Sequence, residues 1–100
     1  MDYSQEPSIF TQHPATGLTI KCKPDLYFDG TGTLTDLKTT ASAAPNDFTR
    51  SIFKFGYDLQ AAFYRMVCRE AGLLVSDEFH FIAVEKTPPY AAQHFALEAD

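Results

Sequence analysis

One hundred residues, 45 % of them hydrophobic, with nine Phe, five Tyr and no Trp, make one domain with a small packed core and exclude a disordered chain. The net charge of −5 speaks against a nucleic-acid partner, which is usually held by a basic field, yet a nuclease must also cluster carboxylates at its metal site. No apolar run approaches the roughly 20 residues that span a bilayer, and Met1-Asp-Tyr-Ser-Gln-Glu6 lacks the basic and apolar parts of a secretory signal, so the cytoplasm is the expected compartment.

Residues 1–16 hold a short apolar piece, Ser8–Thr11, and a turn at His13-Pro-Ala-Thr-Gly17, which read as a strand and a loop. Glu6 just precedes the strand, as a solvated charge or as a further metal ligand. Residues 18–28 alternate, with Leu18, Ile20, Cys22, Leu26 and Phe28 on the expected core face and Thr19, Lys21, Lys23, Asp25 and Tyr27 on the other. Pro24 removes a ladder donor and predicts an edge or a bulge beside Asp25. Asp29-Gly-Thr-Gly32 supplies the glycines of a tight reversal, and the β-branched run Thr33–Thr40 follows. Together these predict a β-hairpin whose arms carry Asp25 and Asp36.

The small, polar stretch from Thr39 to Pro45 predicts a loop. Asn46 or Asp47 is the expected cap of a short helix over 48–55, which puts Arg50 and Lys54 on one face, either as solvated charge or as contacts to a DNA backbone. After Gly56 a longer helix is expected over 57–71, with Leu59, Ala62, Phe63 and Met66 as its apolar stripe and Gly72 as its stop. Gln60 and Tyr64, four apart, lie side by side on a neighbouring face. Glu78–Glu85 is nearly continuous apolar and predicts a strand inside the sheet; Pro88-Pro89 ends it, and 90–100 predicts an edge strand. The order β, β-hairpin, helices, β argues an α+β fold, a mixed sheet with helices packed on it.

Cys22 and Cys68 form no Cys-x-x-Cys pair and are expected as reduced, buried thiols. His13, His80 and His94 are equally scattered and give no zinc-ligand spacing.

The chemistry concentrates at Asp25 and Asp36-Leu37-Lys38. In a strand Asp36 and Lys38 share a face while Leu37 points to the other layer. Two adjacent carboxylates repel unless a cation sits between them, and Mg²⁺ favours such oxygen ligands, with the Leu37 carbonyl as one more. A lysine on the same face can orient or deprotonate an attacking water, or offset charge on a phosphate. An Asp…Asp-x-Lys triplet also occurs by chance, and in a purely structural α+β module Asp25 would lie far from Asp36.

The wider pattern resembles a known family. Lys23-Pro-Asp25, Asp36-Leu-Lys-Thr-Thr40, Gly56-Tyr-Asp-Leu-Gln-Ala-Ala-Phe-Tyr64 and Phe81-Ile-Ala-Val-Glu-Lys-Thr-Pro-Pro-Tyr90 resemble the PD-(D/E)xK nuclease superfamily, and within it the RecE-like exonucleases, or exonuclease VIII family. The resemblance implies a restriction-endonuclease-like, three-layer core and Mg²⁺-dependent degradation of linear double-stranded DNA from the 5′ end, with Mn²⁺ as an alternative ion. It implies Asp25 and Asp36 as metal ligands and Lys38 as the catalytic lysine. Gln60 and Tyr64 match a Gln-x-x-x-Tyr helix motif that positions the DNA strand. It further implies DNA ends as the partner, an annealing recombinase as recipient of the 3′-ended strand, and a ring-like homo-oligomer. The family's usual first helix, which supplies a further histidine or acid, has no counterpart ahead of the first strand. Residues 1–100 are therefore expected to be a nuclease core that is a fragment or truncated form, and the alternative is an inactive remnant that binds DNA or a recombination partner.

Overall fold

In the computed structural model, which describes residues 3–98, the chain forms a five-stranded mixed sheet, a separate two-stranded sheet and two helices. The strands are β1 (Tyr3–Gln5), β2 (Ile9–Gln12), β3 (Thr19–Cys22), β4 (Leu26–Phe28), β5 (Thr33–Thr40), β6 (Glu78–Glu85) and β7 (Ala92–Glu98); α1 (Pro45–Lys54) and α2 (Tyr57–Glu70) lie between β5 and β6. The main sheet runs β1-β4-β5-β6-β7, with β5 and β6 parallel and the other pairs antiparallel. A parallel pair needs a crossover, and the two helices provide it. Among the described residues no helix is long and apolar enough to cross a membrane.

The register assigns the faces. Leu34, Asp36 and Lys38 of β5 stand opposite Phe79, Phe81 and Ala83 of β6, and this face is covered by the helices. Phe48 of α1 packs on Phe95 and Phe81, Tyr57 of α2 on Phe81, and Tyr64 on Phe79, with ring centroids 4.6–6.2 Å apart. Truncating a fully buried ring such as Phe48 costs about 3–5 kcal/mol in cores of this kind.

Three expectations are corrected here. Residues 18–28 are not one strand: β3 pairs with β2 in the small sheet, and the chain breaks at Lys23-Pro24 before joining the main sheet as β4. The break resets the alternation, so Tyr27 is the buried residue and donates its hydroxyl to the Leu74 carbonyl at 2.8 Å. Leu26 and Phe28 lie half-buried on the other face, and Leu18 is 67 % exposed. Proline's missing donor and fixed φ make that residue a place to change sheets, a stronger effect than a bulge.

The apolar stripe of α2 is also elsewhere. Leu59 is 73 % exposed and Ala62 and Phe63 face outward, while Tyr57, Ala61, Tyr64, Val67 and Cys68 turn toward the core; of the expected stripe, Met66 packs against the core as read. The helix needs small and aromatic residues where it crosses Phe79, Phe81 and Cys22, and hydrophobicity alone favours the wrong stripe. Finally, α1 starts at Pro45, with Ala44 as cap and no side-chain cap bond. Neither Asn46 nor Asp47 caps it. Proline's preset φ opens the helix, and Asp47 sits in the first turn, where the helix dipole favours a negative charge.

The hairpin turn, the inner and edge strands and the two thiols stand as expected. The reversal after β4 is closed by Gly32 N–H to Phe28 O at 2.8 Å, with Gly32 at φ +71°. Glu78–Glu85 is an inner strand and β7 an edge. Cys22 and Cys68 are free and buried, with their Sγ atoms 3.9 Å apart.

Candidate active site

The short antiparallel pairing of β4 with β5 sets Leu26 opposite Thr35, so Asp25, one residue before β4, arrives beside Asp36. The contact is direct. The Asp25 amide donates to Asp36 Oδ1 at 3.2 Å, and the Leu37 amide donates to Asp25 Oδ2 at 2.6 Å. The amide and carbonyl of one strand residue point to the same side, so the Leu37 carbonyl faces the same gap beyond the end of β4. Leu37's side chain is on the uncovered face, 54 % exposed, while Asp36 and Lys38 point under the helices. The adjacency excludes the arrangement in which the two acids lie far apart.

Lys38 Nζ stands 3.1 Å from Asp36 Oδ2 and donates to Gln60 Oε1 at 2.7 Å. Gln60 Nε2 donates to Asp36 Oδ2 and to the Tyr64 hydroxyl, both at 3.2 Å. One amide of α2 thus ties together the acid, the lysine and the tyrosine. Burial pushes the Asp36 carboxyl above the usual carboxylate range; Lys38 pulls it down, the Asp25 charge pushes it up, and the Asp25 amide pulls it down. Asp36 is 5 % exposed, so desolvation outweighs its partners.

Tyr57 was not singled out from the sequence. Its ring lies under Lys38 Nζ, 4.4 Å from the centroid, and adds a cation–π contact to the ammonium. The signal was present in the spacing of Tyr57, Gln60 and Tyr64, three and four apart on one helical stripe.

Glu6 follows β1 at φ +47°, and its amide donates to the Asp25 carbonyl at 2.8 Å. Glu6, Asp25 and Leu37 line a common cavity of about 430 Å³ with Gln5 and Leu26. Glu6 lies between β1 and β2, just ahead of the strand expected at Ser8–Thr11. Arg50 and Lys54 do not join this cluster. Arg50 pairs with Asp47 at 3.8 Å on the surface of α1, whereas Lys54 borders a groove with Tyr57, Thr39 and Lys86.

The donor set of Asp25, Asp36 and the Leu37 carbonyl consists of hard oxygens, with one carboxylate held in a charge-costly position, which fits a divalent cation of the Mg²⁺ class. Among the described residues no group of three or more His, Cys, Asp or Glu side chains is gathered to hold a metal ion.

Comparison with known proteins adds three findings. Residues 1–100 match the family described as a PDDEXK-like domain of unknown function, DUF3799. PDDEXK-like nucleases typically use divalent metals. A search of curated proteins returns no match. Among solved structures, the one described as "Crystal structure of SSO0001" superposes with a TM-score of 0.66 at 11 % identity, over 97 % of this chain and 42 % of that one. The likeness is one of fold, and the chain spans less than half the length of that protein.

Proposed function

The chain belongs to the PDDEXK-like domain family DUF3799, and from that membership and the Asp25–Asp36–Lys38 cluster we propose that it is the core of a Mg²⁺-dependent exodeoxyribonuclease of the RecE-like kind, with Mn²⁺ able to replace Mg²⁺. Its substrate is the end of linear double-stranded DNA, cut from the 5′ side in recombination or repair. The partners are then a single-strand annealing recombinase and further copies of the full-length protein. The observation that carries the reading is the joining of the two acids and the lysine through one hydrogen-bonded cluster.

In this reading Asp25, Asp36 and the Leu37 carbonyl hold the ion, with Glu6 at the margin of the same cavity. A bound divalent ion supplies an acidified water and offsets phosphate charge. Lys38 sits on the strand face of Asp36 and presents a positive group to the attacking water or the phosphate. Gln60 and Tyr57 keep that ammonium in place, and Tyr64 limits the rotation of Gln60. Lys54, on the neighbouring groove, is the contact for the DNA backbone, with Arg50 outside it.

The test is digestion of a linear duplex with each strand labelled, using the full-length protein and residues 1–100. We expect Mg²⁺-dependent loss of the 5′-ended strand, abolished by Lys38→Ala. Undiminished digestion by that variant refutes the assignment. A second reading, an inactive remnant that binds DNA or a recombination partner, is favoured by the ion pair of Lys38 with Asp36 at 3.1 Å, which already offsets that carboxylate's charge. Calorimetric titration with Mg²⁺ separates the two: binding that requires Asp25 and Asp36 supports the nuclease, and its absence supports the remnant.

A further inference from the structure

The fold brings together two histidines that lie far apart in sequence. His80 of β6 and His94 of β7 stand diagonally across an antiparallel pair, His80 opposite Ala96 and His94 opposite Ile82. Both are on the face of the sheet away from α1 and α2, which Leu37 and Thr35 also occupy. Nδ1 of His80 and Nε2 of His94 are 2.5 Å apart, the ring planes differ by 7°, and the centroids are 4.8 Å apart. Face-to-face rings cannot approach so closely. The rings therefore lie edge to edge in nearly one plane, with two nitrogens aimed at each other.

Two nitrogen lone pairs can share that axis only with a proton or a cation between them. The other nitrogen of His80, Nε2, faces Glu78 Oε1 at 3.7 Å. A carboxylate there favours the tautomer with hydrogen on Nε2 and leaves the Nδ1 lone pair directed at His94. His94 is exposed on an edge strand.

We propose that His80 and His94 form a two-imidazole binding site for a borderline-soft divalent cation (Zn²⁺, Ni²⁺ or Cu²⁺), with Glu78 as the carboxylate that orients His80. Imidazole suits these ions, whereas Mg²⁺ prefers oxygen, so the site is distinct in place and in selectivity from Asp25 and Asp36. Two nitrogens on a tetrahedral ion at about 2.0–2.1 Å lie roughly 3.3 Å apart, so the pair must open by about 1 Å and both rings must turn until their lone pairs converge on the ion beside the N–N axis. Solvent completes the coordination on the open side of the sheet.

The test is calorimetric titration of the 100-residue chain with Zn²⁺ and with Ni²⁺ in buffer containing Mg²⁺, with circular dichroism to establish folding. One saturable equivalent is expected, retained in His13→Asn and Asp36→Asn. His94→Asn, an exposed change, is expected to lower affinity at least tenfold, and Glu78→Gln by about tenfold, the scale of losses for ligand-orienting carboxylates. Equal binding by folded His94→Asn and the parent chain overturns the proposal, as does the absence of saturable uptake.

Discussion

Gln60→Ala removes the amide that joins three side chains, and its cost follows from the contacts. Gln60 makes one bond of 2.7 Å to the Lys38 ammonium, one of 3.2 Å to the Asp36 carboxylate and one of 3.2 Å to the Tyr64 hydroxyl. At about 1.5–3 kcal/mol for each bond to a charged group and about 1 kcal/mol for the neutral one, simple addition gives about 4–7 kcal/mol. That sum is too large. The Lys38–Asp36 pair at 3.1 Å survives the change, so neither charge is orphaned, and the site is open enough for water to replace part of the amide. The expected loss is about 2 kcal/mol, which for a domain of this size lowers Tm by about 8–16 °C. Thermal and urea melts measured without metal read this directly, and the m-value checks that the transition remains two-state. A loss below about 0.5 kcal/mol, the level of an ordinary surface change, refutes the view that Gln60 organises the cluster. Gln60→Glu keeps the acceptor for Lys38 but replaces the donor to Asp36 Oδ2 with a carboxylate oxygen, so the repulsion at that contact grows as pH rises and both acids ionise.

Gly32→Ala tests the seam between the hairpin and the connection from α2 to β6. An added Cβ meets the Leu74 carbonyl oxygen at 2.5 Å at a position held at φ +71°, and the Gly32 carbonyl accepts from Ser76 N–H at 2.9 Å. Clash and strain together predict a loss of at least about 2 kcal/mol by denaturant melt. The raised Asp36 pKa predicts a pH dependence that changes sign with metal. Without metal the folded chain binds this proton more tightly than the unfolded chain. Asp36's contribution is therefore full below the unfolded pKa and is lost as pH rises through the raised folded value. With saturating Mg²⁺ the ionised form is favoured, so the difference in stability between the parent chain and Asp36→Asn grows with pH across the same window. Melts from pH 3 to 7, with and without Mg²⁺, check it; parallel slopes refute it.

The sequence was most legible where local rules act on their own. Two glycines and a β-branched run specify the hairpin, and strand spacing alone places Asp36 and Lys38 on one face with Leu37 on the other. Helix spacing puts Gln60 and Tyr64 side by side as ordinary helix surface, and the resemblance to the Gln-x-x-x-Tyr motif is what singles them out. What was hidden depends on tertiary context. Pro24 moves the chain from one sheet to another, which no period-two count contains. The outward Leu59 and Phe63 show that the buried face of α2 is chosen by the shape of the sheet beneath it. The partnership of His80 with His94 depends on the β6–β7 register, and the role of Tyr57 on the depth at which α2 lies over Lys38.

The parallel pairing of β5 with β6 also governs when the cluster comes into being. Asp36 and Lys38 are made early, but their strand neighbours, Phe81 and Ala83, and the helix that carries Gln60 follow later in the chain. Closing that pair requires the whole crossover, and such non-local contacts set a slow step in folding. On the ribosome the hairpin can close while its acids remain open to water. Asp36 acquires its buried environment only when β6 has docked, so completion of the sheet and assembly of the site are one event.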